Sequence, residues 1–416
     1  MRVGIYGISS QSGLAFLADF LNRGYEVNGY ARPTAHGKEI IDAIKFENGV
    51  YLERPSNSNH EGSKFVSLAN SFVTNDLKEF ISNVDIIIIA VPSSSHLAIA
   101  HELADAGICE CKIPLILSPS RTFATPYMWM VLGEGYPIAC FSTCPYSCKR
   151  PANNIALIKR RKRTWMVSLE GTFTYLHRSY IDELFPQAAI STVPALTSLN
   201  NIGAVFHCAT YMLNLSEIAK CQESGTIFSF YMDGIANRPE VGKYLESIDQ
   251  VRLHIANRLG IETFGLDTNP REDIWRKLTN GLRALEEEHE NDVDILRVIR
   301  RQFMEYINNT VISAQHWLDM TYGVVRVAGE NLSDTIARTP TYQKNSVPQL
   351  RYLSEDIPTG LVPLEALANY LDIDSSPITS IIDKYEKEFD PDVRTNGRNL
   401  KMFSRKYIED YLLGKI

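Results

Sequence analysis

The sequence predicts a doubly wound α/β domain of the Rossmann-like type over residues 1–192, followed by an all-α domain over residues 193–416. In the first half, short apolar segments alternate with helical patterns, which is typical of a parallel sheet covered by helices. From about Thr197 onward helix-period patterns dominate and strand patterns almost disappear. At 416 residues, the chain is also too long for one ordinary hydrophobic core, so two domains are expected.

The chain begins with the pattern of a first βαβ unit. Residues 3–13 read as a buried strand and a turn of small residues, an apolar helix follows, and residues 26–30 form the second strand. In dinucleotide-binding domains this turn holds the pyrophosphate at the start of the helix. The motif departs from G-x-G-x-x-G, because Ser9 and Ser12 occupy the second and third glycine positions. We expect cofactor contacts from Gly7, Ser9, Ser10 and Gln11; a flavodoxin-like fold without dinucleotide is the alternative.

The end of the second strand indicates which nucleotide binds. NAD-binding chains usually carry Asp or Glu there, which accepts hydrogen bonds from the ribose hydroxyls. This chain has Arg32, with Lys38 six residues further on. A cation complements a 2′-phosphate and can contact it through two hydrogen bonds. The sequence therefore predicts NADPH as cofactor, with NADH and a merely solvated Arg32 as the alternatives.

Two further apolar segments continue the predicted sheet. Residues 84–91 are apolar on both faces, as a central parallel strand requires, and Pro92 and Ser93 follow them. Residues 113–117 form a similar strand, which also ends in small residues. Ligands of doubly wound sheets collect at the carboxyl ends of the strands. We therefore expect Pro92 and Ser93 to border the cofactor.

Composition and charge exclude several classes of partner. The net charge of -7 gives no reason to expect nucleic acid or anionic lipid. No apolar run is long enough to span a membrane, and no signal-peptide pattern precedes the first strand, so a cytoplasmic protein is expected. Seven cysteines, an odd number, favour reduced thiols. Cys140, Cys144 and Cys148 lack a paired C-x-x-C elsewhere, and no metal site is expected.

One basic run stands out against this acidic background. Residues 159–163 read Lys-Arg-Arg-Lys-Arg and lie between two strand-like segments, residues 154–158 and 165–169. This placement is typical of a solvated hairpin turn. Contact with nucleic acid is the alternative.

The second half carries two distinctive segments. One is Asn200-Asn201 followed by Val205-Phe206-His207, and the other is residues 351–363, which read R-Y-L-S-E-D-I-P-T-G-L-V-P. They resemble the catalytic-histidine helix and the R-x-L-x-E-D-I-P segment of the opine dehydrogenases, the family of the octopine and nopaline enzymes and of the bacterial opine-metallophore enzymes. The similarity covers nearly the whole chain. It departs from the family at the two serines of the phosphate turn and at Cys208, where a proline commonly follows the histidine.

The resemblance implies the reductive condensation of an amino group with a 2-oxo acid, pyruvate or 2-oxoglutarate. The amine attacks the ketone, water leaves, and hydride from the nicotinamide reduces the imine. Such chemistry needs a group that titrates near neutrality, donors or cations that hold carboxylates, and a cleft that excludes water. The similarity of residues 141–143, together with Arg32, favours the metallophore branch. A homodimer is the expected assembly.

Two other functions remain open at this point. One is another two-domain hydroxyacid dehydrogenase, a class that commonly carries a lysine in an N-x-x-K helix. Gly203 and Ala204 stand where that lysine would follow Asn200 or Asn201. The other is a protein that senses NADP(H) without turnover, an alternative that the substituted turn glycines keep open.

The resemblance assigns His207 to proton transfer, since histidine titrates near working pH. Such a histidine usually has a carboxylate partner that fixes its tautomer. Asp319 is the predicted partner, with Asp249 as a rival that a surface salt bridge would also explain. Asn201 is expected to donate to the cofactor or the substrate, or to cap the histidine helix.

The remaining site predictions concern the substrate. Arg326 and Arg351 are candidate clamps for carboxylates, because each carries a fixed positive charge with several donors. Cys148 lies on a loop expected to face the substrate, and Tyr322 is a further candidate contact. Glu355 and Asp356 are expected to cap a helix that begins near Pro363.

Overall fold

The computed structural model describes residues 1–55, 62–325, 327, 329–343 and 350–416. The strands in chain order are β1 Arg2–Tyr6, β2 Glu26–Tyr30, β3 Gly49–Arg54, β4 Gly62–Ser67, β5 Phe72–Thr74, β6 Ile86–Ile89, β7 Leu115–Leu117, β8 Ile138–Phe141, β9 Tyr146–Ala152, β10 Ile155–Arg161, β11 Trp165–Glu170, β12 Ala188–Ser191, β13 Glu262–Phe264 and β14 Thr310–Ile312.

The helices occur in both halves and are far more frequent in the second. In chain order they are α1 Gln11–Asn22, α2 Ala35–Glu47, α3 Leu77–Ile81, α4 His96–Asp105, α5 Ile108–Cys111, α6 Ala124–Leu132, α7 Tyr175–Leu184, α8 Ala195–Ser198, α9 Ile202–Leu213, α10 Leu215–Ser224, α11 Pro239–Arg258, α12 Glu272–Glu288, α13 Val293–Tyr306, α14 Ala314–Tyr322, α15 Leu332–Ala337, α16 Arg351–Asp356, α17 Val362–Tyr370, α18 Ser376–Glu388, α19 Val393–Asn396 and α20 Arg405–Leu412. Two π-helical turns, Met232–Ala236 and Ile357–Leu361, interrupt the helical half.

The larger sheet has the topology that the first half predicts. Within the described ranges it contains eight strands in the order β12-β11-β8-β7-β6-β1-β2-β5. Neighbouring strands are parallel, except that β11 runs antiparallel to β8. The order of connections reverses between β1 and β6, and ligands of doubly wound sheets bind beside such a reversal. The predicted α/β fold with a helical second half is confirmed.

A second, smaller sheet corrects the prediction for the basic run. Its order is β4-β3-β10-β9, and the hairpin is formed by β9 with β10 rather than by residues 154–158 with 165–169. Residues 159–161 therefore lie on a strand and not in a solvated turn. The reason is tertiary: Arg161 pairs with the buried Asp19, and the Lys162 amide donates to the Pro145 carbonyl at 2.8 Å.

The last helix packs against the first half of the chain. Tyr411 of α20 donates to Glu170 of β11 at 2.6 Å, and its ring contacts Phe123 with 4.7 Å between centroids. The Arg398 guanidinium, just before α20, donates to the carbonyls of Ser120 and Thr122 at 3.1 and 2.7 Å. The boundary predicted between residues 192 and 193 stays a prediction. None of the described helices combines the length and the apolarity needed to cross a membrane.

Candidate active site

The turn after β1 has the geometry of a phosphate-binding turn. Gly7 has a φ of +97°, and a Cβ at Gly13 would lie 2.1 Å from the Gly7 carbonyl oxygen. Gly13 therefore allows the close approach of helix to strand that the third glycine of such turns provides. The predicted assignment of Ser12 to that position is wrong. The spacing is G-x-x-S-x-x-G, with Ser10 between the two glycines.

The Ser10 side chain links this turn to the start of α1 and to the end of β6 through two hydrogen bonds. Its hydroxyl accepts a hydrogen bond from the Gly13 amide at 2.8 Å and donates one to the Ala90 carbonyl, beyond the end of β6, at 2.5 Å. The amides of Gln11 and Ser12, in the first turn of α1, have no partner within the helix. They can bind a pyrophosphate, which the positive end of the helix dipole also favours. The residues present thus fit a dinucleotide.

Arg32 lies just beyond β2, close to this turn. Its Nε donates to the Tyr6 hydroxyl at 3.0 Å, and its Nη2 forms a salt bridge with Glu102 at 3.0 Å. Burial raises the pKa of Tyr6, as does its hydrogen bond to Glu102. The Arg32 side chain is still 40% exposed, so part of it remains open to a ligand. Lys38 is exposed on α2.

His207 pairs with a carboxylate other than the one predicted. Its Nδ1 lies 2.7 Å from Oδ2 of Asp356, whose side chain is completely buried. The Tyr352 ring stacks on the imidazole with 3.8 Å between centroids. Asp319 instead accepts a hydrogen bond from Trp275 Nε1 at 2.9 Å and pairs with Arg283. The prediction that Asp319 is the partner of His207 is wrong.

The backbone explains why Asp356 reaches His207. The prediction that Glu355 and Asp356 cap a later helix is wrong, because α16 continues through the π-helical turn Ile357–Leu361 into α17. This helix crosses α9 very closely: a Cβ at Gly360 would lie 2.7 Å from the Ala204 Cβ. A residue one turn before such a crossing can therefore contact the histidine on α9 directly.

Asp249, the other candidate partner of His207, has different partners in the structure. It forms a salt bridge with Arg252 at 2.5 Å and accepts a hydrogen bond from the Ala314 amide at 2.7 Å. Both charged side chains of this pair are buried, so it is not the surface salt bridge that was expected. The pair joins α11 to the start of α14.

Arg121 is a site residue that the sequence analysis missed. Its guanidinium contacts Asp356 at 3.0 Å, Glu355 at 3.4 Å and the Asn201 amide oxygen at 3.2 Å. Burial alone would raise the pKa of Asp356, but Arg121, His207 and Arg351 together outweigh this effect, so the pKa lies below its usual range. Asp356 thus stays ionised beside the imidazole. Arg121 follows the small residues after β7, at the carboxyl end of a parallel strand. That position was the signal by which the sequence could have identified it as a site residue.

Two other predicted residues form hydrogen bonds with Arg121 or Glu355, beside the His207–Asp356 pair. Asn201 occupies the N-cap position of α9, but its side chain forms no capping hydrogen bond; it accepts from Arg121 and donates to the Thr122 hydroxyl at 3.4 Å. Ser93 is buried, and its amide and hydroxyl both lie 3.2 Å from the Glu355 carboxylate. Its predicted contact with the cofactor is therefore contradicted, since its polar groups face the helix that carries Asp356.

One cavity of about 750 Å³ brings several of the predicted residues together. It is lined by Ser10 and Gln11 of the phosphate turn, by Pro92 and by His207. Its walls also include residues predicted to contact the substrate, namely Cys148, Tyr322 and Arg351. Arg326 lies outside the described residues. The cavity thus joins the nucleotide-binding turn to a histidine–aspartate pair.

Comparisons with known proteins agree with this geometry. Residues 194–387 match the family model described as "NAD/NADP octopine/nopaline dehydrogenase, alpha-helical domain". The chain is also similar to an opine dehydrogenase of Arthrobacter sp. (strain 1C), with 26% identity over 348 residues. That alignment covers 79% of this chain and 77% of the relative.

Solved structures show the same fold. Octopine dehydrogenase in complex with NADH and agmatine has a TM-score of 0.71 at 14% identity, with 100% of this chain and 98% of that chain covered. Yersinopine dehydrogenase with NADP+ bound has a TM-score of 0.59 at 13% identity, with 99% and 95% covered. At these identities the similarity shows a shared architecture, in agreement with the predicted fold class.

Proposed function

We propose that the chain is an opine dehydrogenase, an NAD(P)-dependent oxidoreductase acting on CH–NH bonds, and that it joins an amino acid to a 2-oxo acid with NADPH as reductant; the match of residues 194–387 to the helical domain of that family supports this proposal. The observation that carries this proposal is the His207–Asp356 pair, which adjoins a cavity that also contacts the phosphate turn. When bound, the dinucleotide supplies hydride to the imine carbon.

The pair provides the proton transfers. Asp356 is ionised and accepts from Nδ1 of His207, which leaves Nε2 as the nitrogen that exchanges protons with the substrate. Nε2 takes a proton from the donor's ammonium group, so that the free amine attacks the ketone carbon, and it returns a proton to the carbinolamine hydroxyl, which leaves as water. The neighbouring carboxylate stabilises the imidazolium between these steps. Tyr352, stacked on the ring, keeps the imidazole plane in place.

Arg351 is proposed to hold the carboxylate of the 2-oxo acid. It lines the cavity, its side chain is 57% exposed, and its Nε lies 3.7 Å from Glu355, next to Asp356 in the chain. If the guanidinium binds the carboxylate of the 2-oxo acid at this position, the adjacent ketone carbon would lie beside the imidazole of His207. We also retain the proposal that the amine donor is an intermediate of metallophore synthesis, which rests on the similarity of residues 141–143 and on Arg32.

NADPH is proposed over NADH because of Arg32. The guanidinium lies just past β2 and is partly exposed, and the end of this strand carries no carboxylate that could accept from the ribose. Its salt bridge with Glu102 holds it in position. A 2′-phosphate would add a second anionic partner for the same guanidinium.

The test is a panel of substrate combinations in which the oxidation of NADPH is monitored by the absorbance of the reduced nicotinamide. Purified protein is mixed with NADPH, pyruvate or 2-oxoglutarate, and single amino acids including alanine, glutamate, histidine and arginine, and the product is identified by mass spectrometry. Oxidation that requires both substrates and yields an N-(carboxyalkyl) amino acid supports the proposal. Oxidation with the oxo acid alone would indicate a hydroxyacid dehydrogenase. Binding of NADPH without oxidation would favour the sensor.

A further inference from the structure

The basic run borders the active-site cavity. Arg160 lies on β10 and Lys162 directly follows this strand, and both line the same cavity as His207. Their neighbour Arg161 points elsewhere, because it pairs with Asp19 under the smaller sheet. Lys159 is exposed and does not line the cavity. The fold thus separates the run into outward-facing and inward-facing cations.

The two inward-facing cations have no carboxylate partner among the described residues. The Arg160 guanidinium lies 5.1 Å from the centroid of the Tyr322 ring, which positions it without neutralising it. The Lys162 ammonium contacts the Thr143 hydroxyl, and Thr143 carries no charge. Two other cations on this wall, Arg163 and Arg300, share the carboxylate of Glu286, with Arg163 at 3.6 Å.

The cavity as a whole has an excess of positive charge. Among the described residues, seven arginine or lysine side chains line it, against three carboxylates. Burial lowers the pKa of Lys162 to about 8; the nearby Cys144 opposes this shift, whereas Arg121 and Arg160 add to it by repulsion. A half-buried cation under such repulsion gains from a bound anion. The uncompensated charge therefore indicates an anionic ligand.

We propose that Lys162 and Arg160 form a second anion subsite, which binds the carboxylate of the amine donor while Arg351 holds that of the 2-oxo acid. This inference rests on the proposed function and adds the residues that select for the α-carboxylate of the donor: an amine that lacks this carboxylate is a poor substrate. A basic side chain is disfavoured near this wall, since it would add to the repulsion between Arg121, Arg160 and Lys162.

Matched amines test the subsite, because each pair differs only in the carboxylate. The pairs are alanine with ethylamine, histidine with histamine and arginine with agmatine. For the wild-type enzyme, kcat/KM is expected to be at least about tenfold higher for the amino acid that proves active than for its amine. Lys162→Met and Arg160→Met should each raise KM for the amino acid about tenfold or more, with a smaller change for the amine and in kcat. Lys162→Arg should restore the amino acid KM, because it returns the charge.

Lys159→Met is the matched control, since it removes a charge from the same run outside the cavity. It should leave both KM values unchanged. If Lys162→Met raises KM by the same factor for the amino acid and the amine, or weakens NADPH binding by that factor, the proposed subsite is refuted even though the enzyme is active. If the wild type turns over no pair, the proposed function fails separately. Calorimetric binding of glutarate then tests the subsite: it should weaken in Lys162→Met, and unchanged binding would refute the proposal.

Discussion

Replacing Asp356 by Asn tests whether Asp356, and not the Asp319 that the sequence suggested, is the carboxylate partner of His207. The substitution keeps the shape of the side chain but removes the charge that faces His207 at 2.7 Å. A hydrogen bond to a charged group contributes roughly 1.5–3 kcal/mol, which corresponds to about 10- to 160-fold in rate at 1.36 kcal/mol per tenfold. We expect kcat to fall by ~10²-fold and NADPH affinity to stay within about threefold, because the phosphate turn is untouched.

The assay is single-turnover oxidation of bound NADPH after mixing with both substrates, which measures chemistry separately from product release. Asp319→Asn is the matched comparison, since Asp319 is also buried and lines the same cavity but contacts Trp275 and Arg283. Its rate constant should fall far less. A larger loss in the Asp319 variant than in the Asp356 variant would refute the assignment of the pair, and circular dichroism would show that both variants fold.

The other predictions address neighbouring parts of the site. His207→Ala should lower turnover by ~10²–10⁴-fold with NADPH affinity within about threefold, measured by fluorescence titration; full activity would exclude the proton-transfer role. Arg32→Asp should shift the ratio of kcat/KM toward NADH, and an unchanged ratio would mean that Arg32 does not contact the 2′-phosphate. Gly13→Ala should destabilise the protein by ~1–3 kcal/mol and weaken NADPH binding, because the added Cβ meets backbone; urea denaturation measures the first effect. The Lys162 cation is lost as pH rises through about 8, so KM for the amino acid should rise above that pH in the wild type relative to Lys162→Arg, which stays charged; parallel pH profiles would contradict this.

The sequence predicted the parts of the site that depend on local pattern. The strand–turn–helix unit around Gly7 and Gly13, the strand end at Pro92 and the histidine helix are continuous segments whose apolar periodicity or small residues identify them. The position of Arg32 follows from the same local reasoning. These elements lie where the pattern placed them.

Contacts between distant segments could not be read from pattern. Asp356 and Asp319 are both acidic residues on helices in the second half, and only the close crossing at Gly360 decides which of them meets His207. Likewise, residues 159–161 have the composition of an exposed turn, and they continue β10 because β9 pairs with this part of the strand. Arg121 was missed because its two carboxylate partners are more than two hundred residues away.

The return of α20 to the sheet has a consequence for motion. The chain passes from one half to the other after β12 and again through Arg398, whose guanidinium is fastened to the loop after β7. Because the two halves are joined at two separate points, we expect any opening of the cleft between them to be a rotation about the line through those points. The ring of Tyr411 packs against Phe123 and Trp129 of the first half, so an aromatic contact accompanies the hydrogen bonds of Arg398 at the second of these connections.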